Sequence, residues 1–287
     1  MPDDTTIAPH PLAADTVADG AGSLLFIGNA TTLIRLGPFT ILTDPTFVHR
    51  HESVDLGPGL SSKRLTDPAM EIDELPPVDL VLLSHFHGDH FDQVAQERLD
   101  KDLPVVTTPQ ARKELESLGF RQVTGLETWD TVTVPKNGVE LRITSCPGRH
   151  GPGLVDLVLP DVMGSVLEVV GDDEAPRVYV SGDTLVFDGL DEIARRYPQL
   201  DVGVLHLGGT RVLGILVTMD AEQGVEAVRR LQPDLVLPVH YDDFDVFTSP
   251  LSDFLRAAEV AGFGDRVVTV PRGARQDLRP GAARRTP

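Results

Sequence analysis

Runs of hydrophobic residues predict short strands in the first half of the chain. Gly28-Asn29 and Gly37-Pro38 are turn dipeptides, and they separate the first three runs. A run at residues 78–83 that is apolar except for one Asp is typical of a buried strand. Residues 109–118 show helical periodicity, and Gly119 ends that helix. The predicted strands of this half are 23–27, 31–36, 39–43, 78–83, 105–107, 131–134 and 139–144.

The second half of the chain repeats this alternation of strands and helices. Asp220 is a suitable N-cap for a helix that runs to about Leu231. Ser252 is expected to cap a last helix that ends at Gly262, and residues 190–197 form another predicted helix. The predicted strands of this half are 155–159, 165–170, 177–180, 202–205, 235–239 and 267–270.

Interleaved strands and helices in both halves predict a layered α/β protein in which helices cover packed sheets. Because no low-complexity stretch splits the chain, residues 21–271 are predicted to form one domain. Residues 1–20 and the arginine-rich residues 272–287 are predicted to be flexible arms. Residues 44–77 are rich in Pro, Gly, Asp and Ser, which predicts a long loop that could cover a site.

The composition argues against several classes of partner and location. The 287-residue chain has 25 Lys and Arg against 44 Asp and Glu, and its net charge of −19 would repel nucleic acid and anionic membranes. Its one cysteine, Cys146, leaves no intrachain disulfide or cysteine-based zinc site. No apolar run approaches the ~20 residues of a membrane span, and the acidic first twenty residues do not resemble a signal peptide. We therefore expect a cytoplasmic protein with a small-molecule substrate and no stable membrane insertion; its oligomeric state stays open.

The strongest chemical signal is the segment SHFHGDH at residues 84–90, directly after a predicted strand. Because side chains alternate in an extended segment, His85 and His87 project to the same side. Two imidazoles there are ligands of the right type for zinc. Asp89 and His90 follow where the chain turns towards a helix, so they can face a neighbouring metal. A surface loop rich in histidine is the alternative interpretation, but histidine is scarce elsewhere in the chain.

Other potential metal ligands also follow predicted strands. Ligand sites of α/β sheets gather beyond the carboxyl ends of strands, and packing alone does not explain a recurrence of His and Asp at such ends. A single residue of this kind would more often be a hydrogen-bonded histidine or a turn-forming aspartate. The residues in these positions are His150, Asp183, His206 and His240.

Together these motifs resemble those of the metallo-β-lactamase superfamily of metallohydrolases. The family pattern His-x-His-x-Asp-His is met in full by residues 85–90, and His150, Asp183 and His240 resemble the later ligands in the same order. The resemblance spans about residues 23–271. It implies a four-layer αββα sandwich with two pseudo-equivalent halves and a dinuclear metal site at one edge.

The resemblance also implies a role for each ligand. Two divalent metal ions are expected, zinc before manganese or iron. His85, His87 and His150 would hold the first metal; Asp89, His90 and His240 would hold the second, and Asp183 would bridge them.

Within the superfamily, the chain looks most like the branch that contains ascorbate-6-phosphate lactonase and N-acylphosphatidylethanolamine-hydrolysing phospholipase D. The chain departs from that branch at residues 148–153 and 205–211, and both segments are expected near the substrate. The stretches that carry the finer resemblance are 42–45, 75–79, 218–220 and 238–241.

Hydrolysis is the chemistry that this ligand set predicts. Two divalent ions that share a water lower its pKa towards neutrality, and the metal-bridging hydroxide attacks a carbonyl carbon or a phosphorus. The expected substrate is a small ester, lactone or phosphodiester. A mononuclear iron-dependent dioxygenase or a thioesterase of the same fold is the alternative; bound iron and oxygen uptake would favour the dioxygenase.

Four residues are candidates for supporting this chemistry. Asp89 could accept a hydrogen bond from the hydroxide and orient it, and His206 or Tyr241 could donate a proton to the leaving group. The other interpretations are that His206 orients a metal ligand and that Tyr241 serves in packing. Asp44 is expected either to support a ligand histidine or to form a turn.

Overall fold

A computed structural model describes residues 4–10, 22–57 and 59–279. Two seven-stranded sheets form its centre, and two short hairpins lie outside them. The strands are β1 (Asp4–Thr6), β2 (Gly22–Gly28), β3 (Thr31–Leu36), β4 (Phe39–Thr43), β5 (Ser53–Asp55), β6 (Ser61–Lys63), β7 (Leu80–Leu82), β8 (Val105–Thr107), β9 (Val123–Gly125), β10 (Thr131–Lys136), β11 (Val139–Pro147), β12 (Met163–Val170), β13 (Val178–Val180), β14 (Val202–His206), β15 (Arg211–Val212), β16 (Ile215–Leu216), β17 (Leu235–Val239) and β18 (Arg275–Asp277).

Within the described residues, five α-helices and three short 3-10 helices connect these strands. None of the helices in the described ranges is both long and apolar enough to cross a lipid bilayer. The α-helices are α1 (Gln93–Arg98), α2 (Pro109–Ser117), α3 (Asp188–Arg196), α4 (Ala221–Leu231) and α5 (Leu251–Val260), and the 3-10 helices are Ile72–Glu74, Gly153–Leu157 and Gly264–Arg266.

The two sheets follow the same plan. One has the strand order β18-β2-β3-β4-β7-β8-β9, and the other has the order β1-β10-β11-β12-β13-β14-β17. In the first, antiparallel β2, β3 and β4 continue into parallel β7, β8 and β9. In the second, antiparallel β11, β12 and β13 continue into parallel β14 and β17. This repetition is the one expected of two pseudo-equivalent halves.

Helices cover the outer faces of the two packed sheets, which gives the predicted four-layer arrangement. Strand β7 shows the layering: Leu80 and Leu82 join the core shared by both sheets, while Val81 joins a second core under α1 and α2. Helices α3, α4 and α5 pack on the other sheet through residues such as Ile193 and Phe254. The fold-class prediction is therefore confirmed.

Helix α4 begins and ends where the sequence predicts. The Asp220 carboxylate accepts a hydrogen bond from Gln223 N at 3.1 Å, as an N-cap does. The predicted Ser252 cap is wrong, because α5 already begins at Leu251, directly after Pro250. Proline has its φ fixed near the helical value, so it sets the start of this helix without a side-chain cap.

The strand predicted at residues 155–159 is also wrong, since the chain forms the 3-10 helix Gly153–Leu157 there. Gly153 has a φ of +57°, a left-handed conformation that reverses the chain before a strand can begin. The Asp156 carboxylate accepts a hydrogen bond from His150 N at 2.8 Å, which closes the turn. Local turn chemistry therefore overrides the apolar pattern.

The described parts of both predicted arms belong to the fold. At the C-terminal end, β18 pairs with the edge of β2, and Leu278 is fully buried. At the N-terminal end, β1 pairs in parallel with β10. Polar residues dominate both segments and hide these strands from the hydrophobic pattern, because pairing at a sheet edge needs backbone groups more than apolar side chains. The rest of both predicted arms, residues 1–3, 11–20 and 280–287, lies outside the described residues.

The strand predicted at residues 267–270 is reduced to a single bridge between Val267 and Val236. The long segment 44–77 is more ordered than predicted. It contains the β5–β6 hairpin and a 3-10 helix, and Phe47 and Val48 are buried. Asp55 O accepts a hydrogen bond from Gly88 N at 3.0 Å, which holds the hairpin against the histidine-rich loop.

Candidate metal centre

Three histidines from two loops form the first group of ligand atoms. His85 and His87 lie in the loop after β7, and His150 lies in the loop after β11. Nε2 of His85 is 3.1 Å from Nδ1 of His87, and Nε2 of His150 is 3.4 Å from the same Nδ1. One nitrogen of each ring thus points to a common centre, which is the arrangement that a cation with nitrogen ligands requires.

Asp89, His90 and His240 form a second group beside the first. Nε2 of His240 is 3.3 Å from Oδ2 of Asp89, and Nε2 of His90 is 3.8 Å from the same oxygen. His240 follows β17 and has a φ of +60°, which costs about 1–3 kcal/mol in a residue other than glycine. The surrounding contacts hold this conformation and direct the ring towards Asp89.

The carboxylate of Asp183, directly after β13, lies between the two groups. Its Oδ2 is 3.5 Å from Nε2 of His90 and accepts a hydrogen bond from the Thr218 hydroxyl at 2.8 Å. Asp183 also forms a ligand group with His85 and His90, one histidine from each side. The structure therefore brings together all seven predicted ligands, and Asp183 lies near one histidine of each group.

Several polar atoms of this cluster are buried without a hydrogen-bond partner in the described part of the chain. They include Oδ1 of Asp89, Nε2 of His90 and Oδ1 of Asp183. A buried polar atom without a partner is costly and rare in native proteins. Cations at this centre, together with the water that they hold, would give these atoms partners, so the residues present fit a metal centre.

Backbone carbonyls fix the ring orientation of two ligand histidines. Nδ1 of His150 donates to Val217 O at 3.1 Å, and Nδ1 of His240 donates to Leu207 O at 3.1 Å. With the proton held on Nδ1, each Nε2 presents its lone pair to the cluster. The hydrogen bonds therefore select the ring form that can bind a metal.

Burial keeps the first group of histidines neutral. It lowers the pKa of His85 and of His150, and burial together with the neighbouring His150 lowers the pKa of His87 to about 4. The second group behaves differently: burial opposes a charge on His90, but the Asp183 and Asp89 carboxylates raise its pKa well above the ordinary value. Neutral imidazoles and ionised carboxylates are the forms that bind metal.

Asp44 hydrogen-bonds to a ligand histidine, which is one of the two roles that the sequence predicts for it. Its Oδ2 accepts hydrogen bonds from His90 Nδ1 at 3.1 Å and from His206 Nε2 at 3.2 Å, and its Oδ1 accepts one from Ser84 N at 2.7 Å. Burial alone would raise the pKa of Asp44, but the hydrogen bonds from His206 and His90 hold it well below its usual value. This carboxylate stays ionised and orients His90.

Neither His206 nor Tyr241 is among the described residues that line the space in front of the ligand cluster. His206 is buried between Asp44 and the Ser181 hydroxyl, which lies 3.2 Å from its Nδ1. The Tyr241 ring packs 6.2 Å from the ring of Phe26, and burial raises its pKa to about 12. These contacts fit the alternative interpretations, in which His206 orients a metal ligand through Asp44 and Tyr241 serves in packing; a proton-donor role of either residue stays a prediction.

Asn29 is a supporting residue for which the sequence predicts only a place in a turn. Its side-chain amide donates to Asp89 O, and its own carbonyl accepts from His240 N at 2.9 Å. Its N–H donates to Oδ2 of the buried Asp243 at 2.6 Å. Asn29 has a φ of +53°, which asparagine tolerates better than most residues. The Gly-Asn turn signal gave its backbone conformation but not its place between two ligands.

A cavity of about 250 Å³ opens in front of the cluster. Four predicted ligands, His87, Asp89, His150 and Asp183, line its floor. The other described residues that line it are Leu56, Gly57, Leu60, Val158, Leu159, Thr210, Val212 and Val217. A molecule that entered this cavity would lie against His87, Asp89, His150 and Asp183.

Comparisons with known proteins agree with this fold and site. A model of the β-lactamase superfamily domain matches residues 40–241. A UPF0173 metal-dependent hydrolase of Methanosphaerula palustris is 31% identical over 201 residues, which cover 69% of this chain and 85% of the relative. Two packed sheets of this topology, with a buried His and Asp cluster at their edge, define a metal-dependent hydrolase of the metallo-β-lactamase fold. More particularly, the chain belongs to the UPF0173 metal-dependent hydrolase family.

Two solved structures share the fold at lower identity. An isothiocyanate hydrolase from Delia radicum gut bacteria has a TM-score of 0.76 at 20% identity, over 90% of this chain and 99% of that chain. A possible metal-dependent hydrolase from Veillonella parvula has a TM-score of 0.74 at 23% identity, over 88% of this chain and 98% of that chain. At these identities the likeness shows the fold alone. The lactonase and phospholipase branch remains a prediction.

Proposed function

We propose that the protein is a dinuclear hydrolase that cleaves a small ester, lactone or phosphodiester. The observation that carries this proposal is the position of Asp183, whose carboxylate lies within reach of both groups of ligand atoms. A carboxylate shared in this way suits two cations better than one. Zinc is the first candidate, because imidazole nitrogens and carboxylate oxygens are its common ligands; manganese and iron are the alternatives.

Each of the two groups of ligand atoms would hold one cation. When bound, the two divalent cations would lower the pKa of a water between them and polarise the substrate oxygen that gains charge. His85, His87 and His150 would hold one cation; Asp89, His90 and His240 would hold the other, and Asp183 would contact both.

Asp89 is the group best placed to handle the proton of the attacking water. Its Oδ1 is buried without a hydrogen-bond partner in the described ranges, and the residue lines the cavity. In ester hydrolysis a new bond forms from the water oxygen to the carbonyl carbon, the bond to the leaving oxygen breaks, and the leaving oxygen takes one proton. Because His206 and Tyr241 are not among the described residues that line the cavity, we assign this proton transfer to Asp89.

Metal content and turnover together test the proposal. Protein loaded with zinc should contain close to two ions per chain by elemental analysis, and removal of the metal should abolish ester hydrolysis until zinc is restored. Asp183→Ala should lower both metal content and turnover while circular dichroism stays unchanged; the surface variant Asp253→Ala serves as the control. Full turnover in metal-free protein would contradict the proposal. A single bound iron with oxygen uptake would favour the dioxygenase alternative.

Isothiocyanates are a second substrate class to test. One structural neighbour is an isothiocyanate hydrolase, and its substrate class is small and uncharged with an electrophilic carbon. The small cavity of this chain has mostly apolar walls, which suits such a molecule. Loss of the isothiocyanate absorbance in the presence of loaded enzyme, and not of Asp183→Ala, would establish this activity.

A further inference from the structure

The cavity in front of the ligand cluster has apolar walls on three sides. Leu56 and Leu60 come from the β5–β6 hairpin, and Val212 and Val217 come from the segment around the β15–β16 hairpin. Val158 completes the third wall and is 85% exposed to solvent. An exposed apolar side chain beside a cavity gains free energy when an apolar ligand covers it.

Positive side chains are absent from the described residues that line this cavity. The two nearest in sequence are engaged elsewhere: Arg211 pairs with Asp220 at 3.8 Å, and the Arg149 guanidinium lies 4.6 Å from the centre of the Phe187 ring. Burial of a charged group without a partner is strongly unfavourable, and the net charge of −19 disfavours anionic ligands further. The walls therefore favour an uncharged ligand.

Thr210 is the one polar side chain on these walls, within the described residues, that is not a predicted metal ligand. It is 7% exposed, and its Oγ1 is buried without a hydrogen-bond partner there. The Thr210 carbonyl is already used, since it accepts from Val217 N at 2.9 Å. A buried hydroxyl without a partner at a cavity wall is suited to hydrogen-bond a ligand.

We propose that the substrate is a small carboxylic ester or lactone with an apolar, uncharged acyl group that lies between these walls, and that Thr210 hydrogen-bonds to its polar part. This inference rests on the proposed hydrolase function and narrows its substrate class. The acyl group packs against Leu60, Val158 and Val212, and the carbonyl faces the ligand cluster. The cavity volume limits the substrate to a short acyl chain.

Matched synthetic esters test the charge and the length of the acyl group. 4-Nitrophenyl butyrate and 4-nitrophenyl hemisuccinate share the same leaving group and a four-carbon acyl chain, but the second ends in a carboxylate. We expect zinc-loaded enzyme to show kcat/KM about tenfold or more higher for the butyrate. From acetate to butyrate, kcat/KM should rise by about fourfold per methylene.

Variants of the wall should change these ratios without changing metal content. Val212→Asp should remove the preference for butyrate over hemisuccinate, while Val260→Asp, at a 90% exposed position on α5, should leave it unchanged. Thr210→Val should lower kcat/KM for butyrate about three- to tenfold, and Thr210→Ser should restore most of it.

A binding measurement separates failure of this inference from failure of the hydrolase proposal. Saturation-transfer NMR with butyranilide, an unreactive amide, should show binding that Val212→Asp abolishes and Val260→Asp retains. Metal-dependent hydrolysis of hemisuccinate or bis(4-nitrophenyl) phosphate in preference to butyrate would overturn the substrate class and leave the hydrolase proposal standing. Butyranilide binding without hydrolysis of any ester would overturn the hydrolase proposal and leave the apolar cavity standing.

Discussion

Oδ2 of Asp44 accepts hydrogen bonds from both Nδ1 of His90 and Nε2 of His206, although His90 lies 46 residues and His206 lies 162 residues after Asp44 in the chain. The bond to His90 leaves the Nε2 of that ring facing Asp89 and Asp183. Asp44 itself has a φ of +34°. A carboxylate carried on a backbone in the left-handed region therefore orients a predicted metal ligand.

Replacement of Asp44 by asparagine should weaken metal binding at the second group. The variant keeps the size of the side chain but loses the charge that accepts from His90, and the affinity should fall about 10- to 100-fold. Competition with a chromophoric zinc chelator gives this affinity. Asp67→Asn, an exposed acid of the same loop, should leave it unchanged. Equal affinities in all three proteins would show that Asp44 does not orient His90 for metal.

Removal of metal should lower the thermal stability of the protein. A ligand that binds the folded state alone adds about 4 kcal/mol at a thousandfold excess over its Kd, and without it the buried atoms of Asp89, His90 and Asp183 lose their partner. Scanning calorimetry before and after dialysis against chelator should show a fall in Tm, reversed by added zinc. Added zinc should raise the Tm of Asp183→Ala by less than it raises the Tm of the unaltered protein. An unchanged Tm would contradict a metal centre built from these buried groups.

The buried Asp243 should matter far more than its neighbour Asp242. Asp243 accepts from Arg272 at 3.0 Å and lies 3.6 Å from the fully buried Arg64. Asp243→Asn would take the ion-pair partner from the buried Arg64 guanidinium and leave Arg272 with Asp242 alone, which should cost about 3–5 kcal/mol. Asp242→Asn, at a half-exposed position, should cost less than about 1 kcal/mol. Urea unfolding measures the loss of unfolding free energy in each variant. Similar losses in the two variants would contradict a buried ion-pair network around Asp243.

Leu278 should contribute to stability although the sequence predicts a flexible arm there. It is fully buried in the core shared by the two sheets, so Leu278→Ala should cost about 2–5 kcal/mol. Leu213→Ala, at a 98% exposed position, should change stability by no more than about 0.5 kcal/mol. Denaturant titration compares the two leucine variants. An unchanged free energy of unfolding in Leu278→Ala would mean that β18 does not pack as described.

The hydrophobic pattern was sufficient for elements whose side chains are buried on both faces. The strands β3, β4, β8 and β17 have the bounds predicted from their apolar runs, because a continuous buried run has few alternative structures. The hydrophobic pattern did not predict β1 and β18, whose polar residues pair at sheet edges. It predicted a strand at residues 155–159, where Gly153 and Asp156 impose a turn instead.

The sequence by itself determined the fold class and the identity of the seven ligand candidates. His85, His87, Asp89 and His90 lie within six residues, and their spacing places them at one strand end. The tertiary structure decided which groups surround them: Asn29, Asp44 and Asp243 behind the ligands, Thr210 and the apolar walls in front, and Tyr241 in the core. These contacts join residues far apart in the chain, and their geometry depends on the register of the strands and the packing of the two sheets, which no local pattern specifies.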